Sequence, residues 1–109
     1  MAMLEIVKTK AKFNNNALIT VPTALGAEGG YINFSGEDSK TILIIDGATA
    51  TINAGNGIQG TNSLVVPFTS GRSRVVVLES GKFVNTSGTN KGKVIITGAG
   101  ATVEVIELP

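Results

Sequence analysis

A chain of 109 residues that is 42% hydrophobic and 16% charged has enough apolar matter for one core and too much for disorder. Nine basic against eight acidic residues leave a net charge of +1, which sets up no field to steer the chain toward nucleic acid or an anionic membrane. With no Cys and no His, a disulfide framework, a thiol nucleophile and a His-based triad are excluded on residue type.

No apolar run approaches the ~20 residues needed to span a bilayer. Met1–Ile6 lacks the basic and then apolar pattern of a secretory signal. The expectation is one soluble domain made in a cytoplasm.

Residues 3–12 (MLEIVKTKAK) read as an extended segment, with Leu4 and Ile6 on one face and Lys8, Lys10 and Lys12 continuing it. Asn14-Asn15-Asn16 marks a turn, because Asn tolerates the left-handed conformation. Ala17–Val21 is a second short strand, stopped by Pro22, which cannot donate to a ladder. Residues 1–22 are therefore an arm or hairpin leading into a domain over 23–109, the whole forming one domain. The next stretch, 23–39, is rich in loop residues: Gly26, Gly29, Gly30 and Gly36 surround a short strand Tyr31–Phe34, and any helix over 23–28 is limited to a turn or two.

From there on, short β-branched runs alternate with turns: Thr41–Asp46, Ala48–Asn53, Ser63–Phe68, Arg74–Glu79, Lys93–Thr97 and Ala101–Leu108. Asp46-Gly47 is a strong hairpin signal, since a type I′ turn needs positive φ at both centres. Ser80-Gly81 predicts a turn before a further strand Lys82–Asn85, and Gly98-Ala99-Gly100 predicts another between the last two runs. About eight to ten strands result. The fold expected is all-β: a small antiparallel β-sandwich or jelly-roll-like domain with an extended N-terminal segment.

Ile42–Ile45, Val75–Leu78 and Val94–Ile96 are continuous rather than alternating. A strand shows successive side chains to opposite faces, so a two-sheet sandwich covers only half of each run. The arm, the 23–39 loop or another subunit must cover the rest, which favours an oligomer. Phe34, Phe68 and Phe83 lie in apolar runs and read as core.

Chemistry-bearing patterns are sparse. Gly55-Asn56-Gly57-Ile58-Gln59-Gly60 matches G-x-G-x-x-G, but the residues after it are strand-like and broken by Pro67. A pyrophosphate site needs a helix there, so a glycine loop between strands is the better reading. Ser39-Lys40 and Ser80-Gly81-Lys82 bring Ser and Lys together at turns, without a base or oxyanion partner. Glu79, Glu104 and Glu107 read as solvated carboxylates, and Glu37-Asp38 with Glu28 upstream lacks the ligand number that calcium requires. One Tyr and no Trp leave neither a sugar platform nor a stacking surface for single-stranded nucleic acid. Asn33-Phe34-Ser35 and Asn85-Thr86-Ser87 are sequons of the kind chance supplies in a chain rich in these residues. Neither catalytic residues, cofactor nor metal is expected.

Taken together, TILIIDGATATINAGNGIQG, LVVPFTSGRSRVVVLESGKF and the terminal GTNKGKVIITGAGATVEVIELP resemble a group of small all-β virion proteins of tailed bacteriophages, the capsid decoration (head auxiliary) type. The resemblance covers about two-thirds of the chain, from about residue 40 onward, and rests on turn placement, the LESGKF segment and the terminal ELP. It implies a structural protein that binds and stabilises the outer surface of a phage head, found in the virion after a period in the host cytoplasm. The implied partners are the major capsid protein and itself, a homotrimer being favoured, with no role for nucleic acid or membrane. A tail or head-fibre protein, or a β-sandwich adhesion module, is the alternative. The attachment surface expected is the arm through Leu4, Ile6, Lys8, Lys10 and Lys12, able to add a strand to a partner and meet acidic groups. The competing expectation is that the arm pairs within its own sheet and its lysines guard an edge.

Overall fold

The computed structural model describes residues 3–19, 22–34, 40–58, 60 and 62–108. Its strands are β1 (Leu4–Glu5), β2 (Lys8–Lys10), β3 (Thr23–Ala24), β4 (Gly30–Asn33), β5 (Thr41–Asp46), β6 (Ala50–Ile52), β7 (Leu64–Val66), β8 (Arg74–Val76), β9 (Lys93–Thr97) and β10 (Thr102–Glu107), with one helical turn, α1 (Ser80–Phe83). They form two sheets packed face to face, in the orders β1-β4-β9-β6-β7 and β2-β10-β5-β8, with β3 also on β10. The domain is the expected all-β sandwich.

The core follows from strict alternation. In β5, Thr41, Leu43 and Ile45 are buried and Ile42, Ile44 and Asp46 half-buried. Val94 and Ile96 of β9, and Val103 and Val105 of β10, point inward in the same way. The fully buried Ile32, Leu43, Ile52, Ile96 and Val105 fill the space between the sheets, each contributing about 1.5–3 kcal/mol by leaving water.

The hairpins expected at Asp46-Gly47 and Gly98–Gly100 do not form. β5 and β10 lie in one sheet, β6 and β9 in the other, so each glycine turn carries the chain across the core. The two resulting arches stack: β10 pairs antiparallel with β5, and β9 with β6. The reason is the inward face. Leu43 and Ile45 bury against the side chains of Ala50 and Ile52 only if the strands face each other; paired in one sheet, they would line the same side. Among the described strands, β6 and β7 are the consecutive pair joined as a hairpin.

The stacked corners need glycine. Gly47 (φ 84°) and Gly98 (φ 140°) lie in the left-handed half of the map, and a Cβ at either would stand 2.6 Å from a backbone oxygen, that of Gly100 and that of Thr49 respectively. Asp46 Oδ1 accepts the Gly47 N–H at 2.8 Å, closing the first corner locally.

Other elements depart from expectation in smaller ways. Ser80–Phe83 is a helical turn, not part of a strand, with Phe83 buried beneath it. Among the described residues of the expected second strand, 17–19 form no strand and pair with no other part of the arm; Thr20 and Val21 lie outside the described residues. Phe68 is exposed, whereas Phe34 and Phe83 pack on the core as expected. The sheets are mixed, since β1 runs parallel to β4 and β2 parallel to β10. Parallel partners need a long connection, and residues 6–29 separate β1 from β4 as residues 11–101 separate β2 from β10.

Gly47→Ala is expected to destabilise the fold by about 2–3 kcal/mol, combining a disfavoured φ with the clash on Gly100. Gly71→Ala has a similar φ of 79° but no heavy atom within 4 Å, and should cost about 1 kcal/mol. Urea denaturation of the two variants side by side checks the contrast.

Candidate functional site

The arm occupies one edge of the sandwich and crosses from sheet to sheet. Leu4 N donates to Gly29 O at 3.2 Å and Ile6 N to Tyr31 O at 2.9 Å, which lays β1 along β4. The chain then steps over the gap at Ile6 and Val7 and runs along β10 as β2. Ile6, only 2% exposed, plugs the gap, in space left by Gly30, where a Cβ would come within 3.2 Å of the Ile6 side chain.

These placements divide the residues expected to form an attachment surface. Ile6 belongs to the core. Lys8 is held internally: its Nζ donates to Glu107 Oε2 at 3.3 Å and to the backbone oxygen of Asn33 at 2.6 Å. Because Glu107 and Asn33 belong to different sheets, Lys8 clasps the sandwich shut at this end. Asn33 Nδ2 in turn donates to Glu5 Oε2 at 2.9 Å. Leu4, Lys10 and Lys12 stay on the surface, the two lysines in and just after β2, which pairs on one side only among the described strands. That is the pattern in which charge discourages edge-to-edge pairing.

At the opposite edge β7 and β8 come together, each hydrogen-bonded on one side only among the described strands. Here the sheets part into an open groove of about 380 Å³, lined by Leu64, Val65 and Val66 of β7 and Arg74, Val75 and Val76 of β8 with their flanks. Leu64 and Val66 pair with the inward Ile52 and Ala50, and Val76 with the inward Leu43, so these side chains face the gap between the sheets. Val75 pairs with Ile44 and points outward, 67% exposed. Val77 and Phe68, just beyond these strands in the chain, are exposed as well.

Polar contacts hold the rim of this groove. Arg74 Nε donates to Pro67 O at 2.7 Å and its Nη2 to Thr69 Oγ1 at 3.0 Å. Ser73 Oγ donates to Asp46 Oδ2 at 3.1 Å, tying the β7–β8 connection to the glycine corner. The continuous run 75–78 was the signal for this surface: Leu78 is buried, Val76 half-buried, and Val75 and Val77 exposed. The outward Ile42, Ile44 and Ile95 of the other two runs are half-buried.

The remaining motifs have structural roles. The glycine loop Gly55–Gly60 joins antiparallel β6 and β7, as expected of a connection between strands, and Gln59 lies outside the described residues. Gly55 N donates to Lys82 O at 2.9 Å, and a Cβ there would meet Val84 O at 2.5 Å. Asn56 Oδ1 accepts the Thr86 N–H at 2.7 Å, which seats the loop on the segment after α1. Glu104 and Glu107 point to opposite faces of β10, and Glu79 lies 3.9 Å from Lys82, so the three carboxylates do not converge. Among the described residues no group of three or more Asp, Glu, His or Cys gathers to hold a metal; Glu37-Asp38 and Ser39 lie outside them.

No protein-family model, curated protein or solved structure matches this chain.

Lys8→Met keeps the aliphatic stem but strips Glu107 and the Asn33 carbonyl of their cation, and should cost about 1–2 kcal/mol. Lys10→Glu and Lys12→Glu should each shift stability by no more than about 0.5 kcal/mol, as exposed positions do. Thermal unfolding of the three variants distinguishes the clasp from the edge lysines.

Proposed function

We propose that the protein is a structural component of a bacteriophage virion, a capsid decoration protein that binds the outer surface of the head and stabilises it. Placement on the head comes from the resemblance of the chain from about residue 40 onward to head auxiliary proteins. The observation in the fold that supports a binding role is the β7/β8 edge, where two strand edges unpaired among the described strands lie beside exposed Val65, Val75 and Val77. Free strand edges with apolar side chains bind extended partners by main-chain pairing, with side chains setting register. Such a protein acts by contact, through a rigid β module with surfaces for the shell and for its own copies. The partners in this reading are the major capsid protein and further copies of the chain, a trimer being favoured.

The arm contributes to attachment in this reading through Leu4, Lys10 and Lys12. Its removal is not a clean test, because deleting residues 2–12 takes Ile6 from the core and Lys8 from the clasp. That deletion should abolish folding, visible as loss of the β-sheet circular dichroism signal.

The direct test is co-sedimentation of the purified protein with empty heads assembled from the major capsid protein of the same phage. Saturable binding and a raised disruption temperature of the loaded heads are expected. Reversing Lys10 and Lys12 to Glu should weaken binding more at low salt than at high, since exposed charges are screened within about 10 Å at 0.1 M salt. Failure to bind heads, or binding to tails instead, overturns the assignment.

A further inference from the structure

Two unpartnered features of this chain match each other. One is the segment 13–19, which follows the left-handed turn at Asn14 (φ 58°). Among the described residues it pairs with no strand, yet Phe13 is 76%, Leu18 95% and Ile19 57% exposed. The other is the edge of β8, which presents Val76 into the groove and Val75 to the outside. A strand laid along that edge needs apolar side chains on both of its faces. Adjacent residues of a strand point to opposite faces, so Leu18 and Ile19 meet that requirement together, one in the groove and one beside Val75.

The segment is tethered at the edge of the sheet away from its own groove. It leaves from β2 and returns to β3, and both strands lie on β10, at the edge opposite β8. With about 4.8 Å between neighbouring strands, β2 and β8 are separated by roughly 14 Å of sheet. The side of one molecule that offers the segment is thus opposite the side that receives it, which is the arrangement of a head-to-tail contact between copies.

We propose that segment 13–19 of one copy lies along the free edge of β8 in a second copy, with one of Leu18 and Ile19 in the β7/β8 groove. Donor and acceptor surfaces differ, so the contact propagates into a ring where the rotation closes and into a filament where it does not. This deepens the self-association reading by naming the two surfaces that meet, and it is independent of head binding.

The absence of Cys makes the test direct. Leu18→Cys and Val75→Cys, both at exposed positions, are made in separate chains, mixed and treated with a short bismaleimide. A cross-linked pair containing one of each is expected. In sedimentation at about 50 micromolar, wild type should run above the 11.2 kDa of one chain, while Leu18→Asp and Val75→Asp each weaken association at least about tenfold, because a carboxylate enters an apolar contact. Unchanged circular dichroism shows that both variants fold. A monomeric wild type overturns the proposal, and so does an oligomer indifferent to both substitutions, which would leave self-association through another surface. Efficient cross-linking within single chains of the double-cysteine variant at high dilution overturns it as well, by assigning the groove to the chain's own segment.

Discussion

The fold depends on the contact between two glycine corners. With no side chain at Gly47, the 46–48 turn approaches the backbone at Gly100, and with none at Gly98, the 98–100 turn approaches Thr49. The approach brings Asp46 into register with Thr102, from which β5 and β10 zip along their whole length. On the other sheet β6 and β9 are drawn together from the same corner. Two stacked arches therefore form the centre of both sheets at once, and the inward residues of β5, β6, β9 and β10 meet between them. The end of β3 is fastened to the same place, since Leu25 N donates to Ala101 O and Gly100 N to Leu25 O.

Around this centre the two edges of the sandwich are finished differently. On one side the arm closes both sheets with one continuous piece of chain: β1 on β4, Ile6 in the gap, β2 on β10, and Lys8 bridging the sheets. Its outer edge carries the exposed Lys10 and Lys12. The β7/β8 side has no such cover among the described residues. Its polar contacts involving Arg74 and Ser73 order the rim without satisfying the strand edges. An edge left apolar while its opposite carries charge is an asymmetry of surface chemistry.

The course of the arm was partly legible. The spacing of Leu4, Ile6, Lys8, Lys10 and Lys12 correctly indicated an extended segment with a charged end, but a regular period assumes one sheet and one face. The step at Ile6 and Val7 carries the chain from one sheet to the other, so Ile6 is buried while Leu4 is exposed. Lys8 has the same side chain as Lys10 and Lys12 and differs because Glu107 and Asn33, distant in sequence, converge on it. The groove was foreshadowed by the apolar run 75–78. Its depth comes from Leu64 and Val66, which belong to another sheet.

By itself the sequence determined the all-β class, the position of nearly every strand from residue 41 onward and the two alternating faces of β10, because alternation and turn chemistry are local properties of a strand; in the continuous runs of β5 and β9 only the fold separates inward from outward residues. It also determined that glycine stands at each sharp reversal. Only the tertiary structure decided where the chain goes after each reversal. A glycine turn serves a hairpin or an arch equally well at the level of φ and ψ. The choice between them is made by burial: Leu43 and Ile45 lie opposite Ala50 and Ile52 across the core rather than beside them, and that preference exists only once both sheets are present to exclude water from both sets.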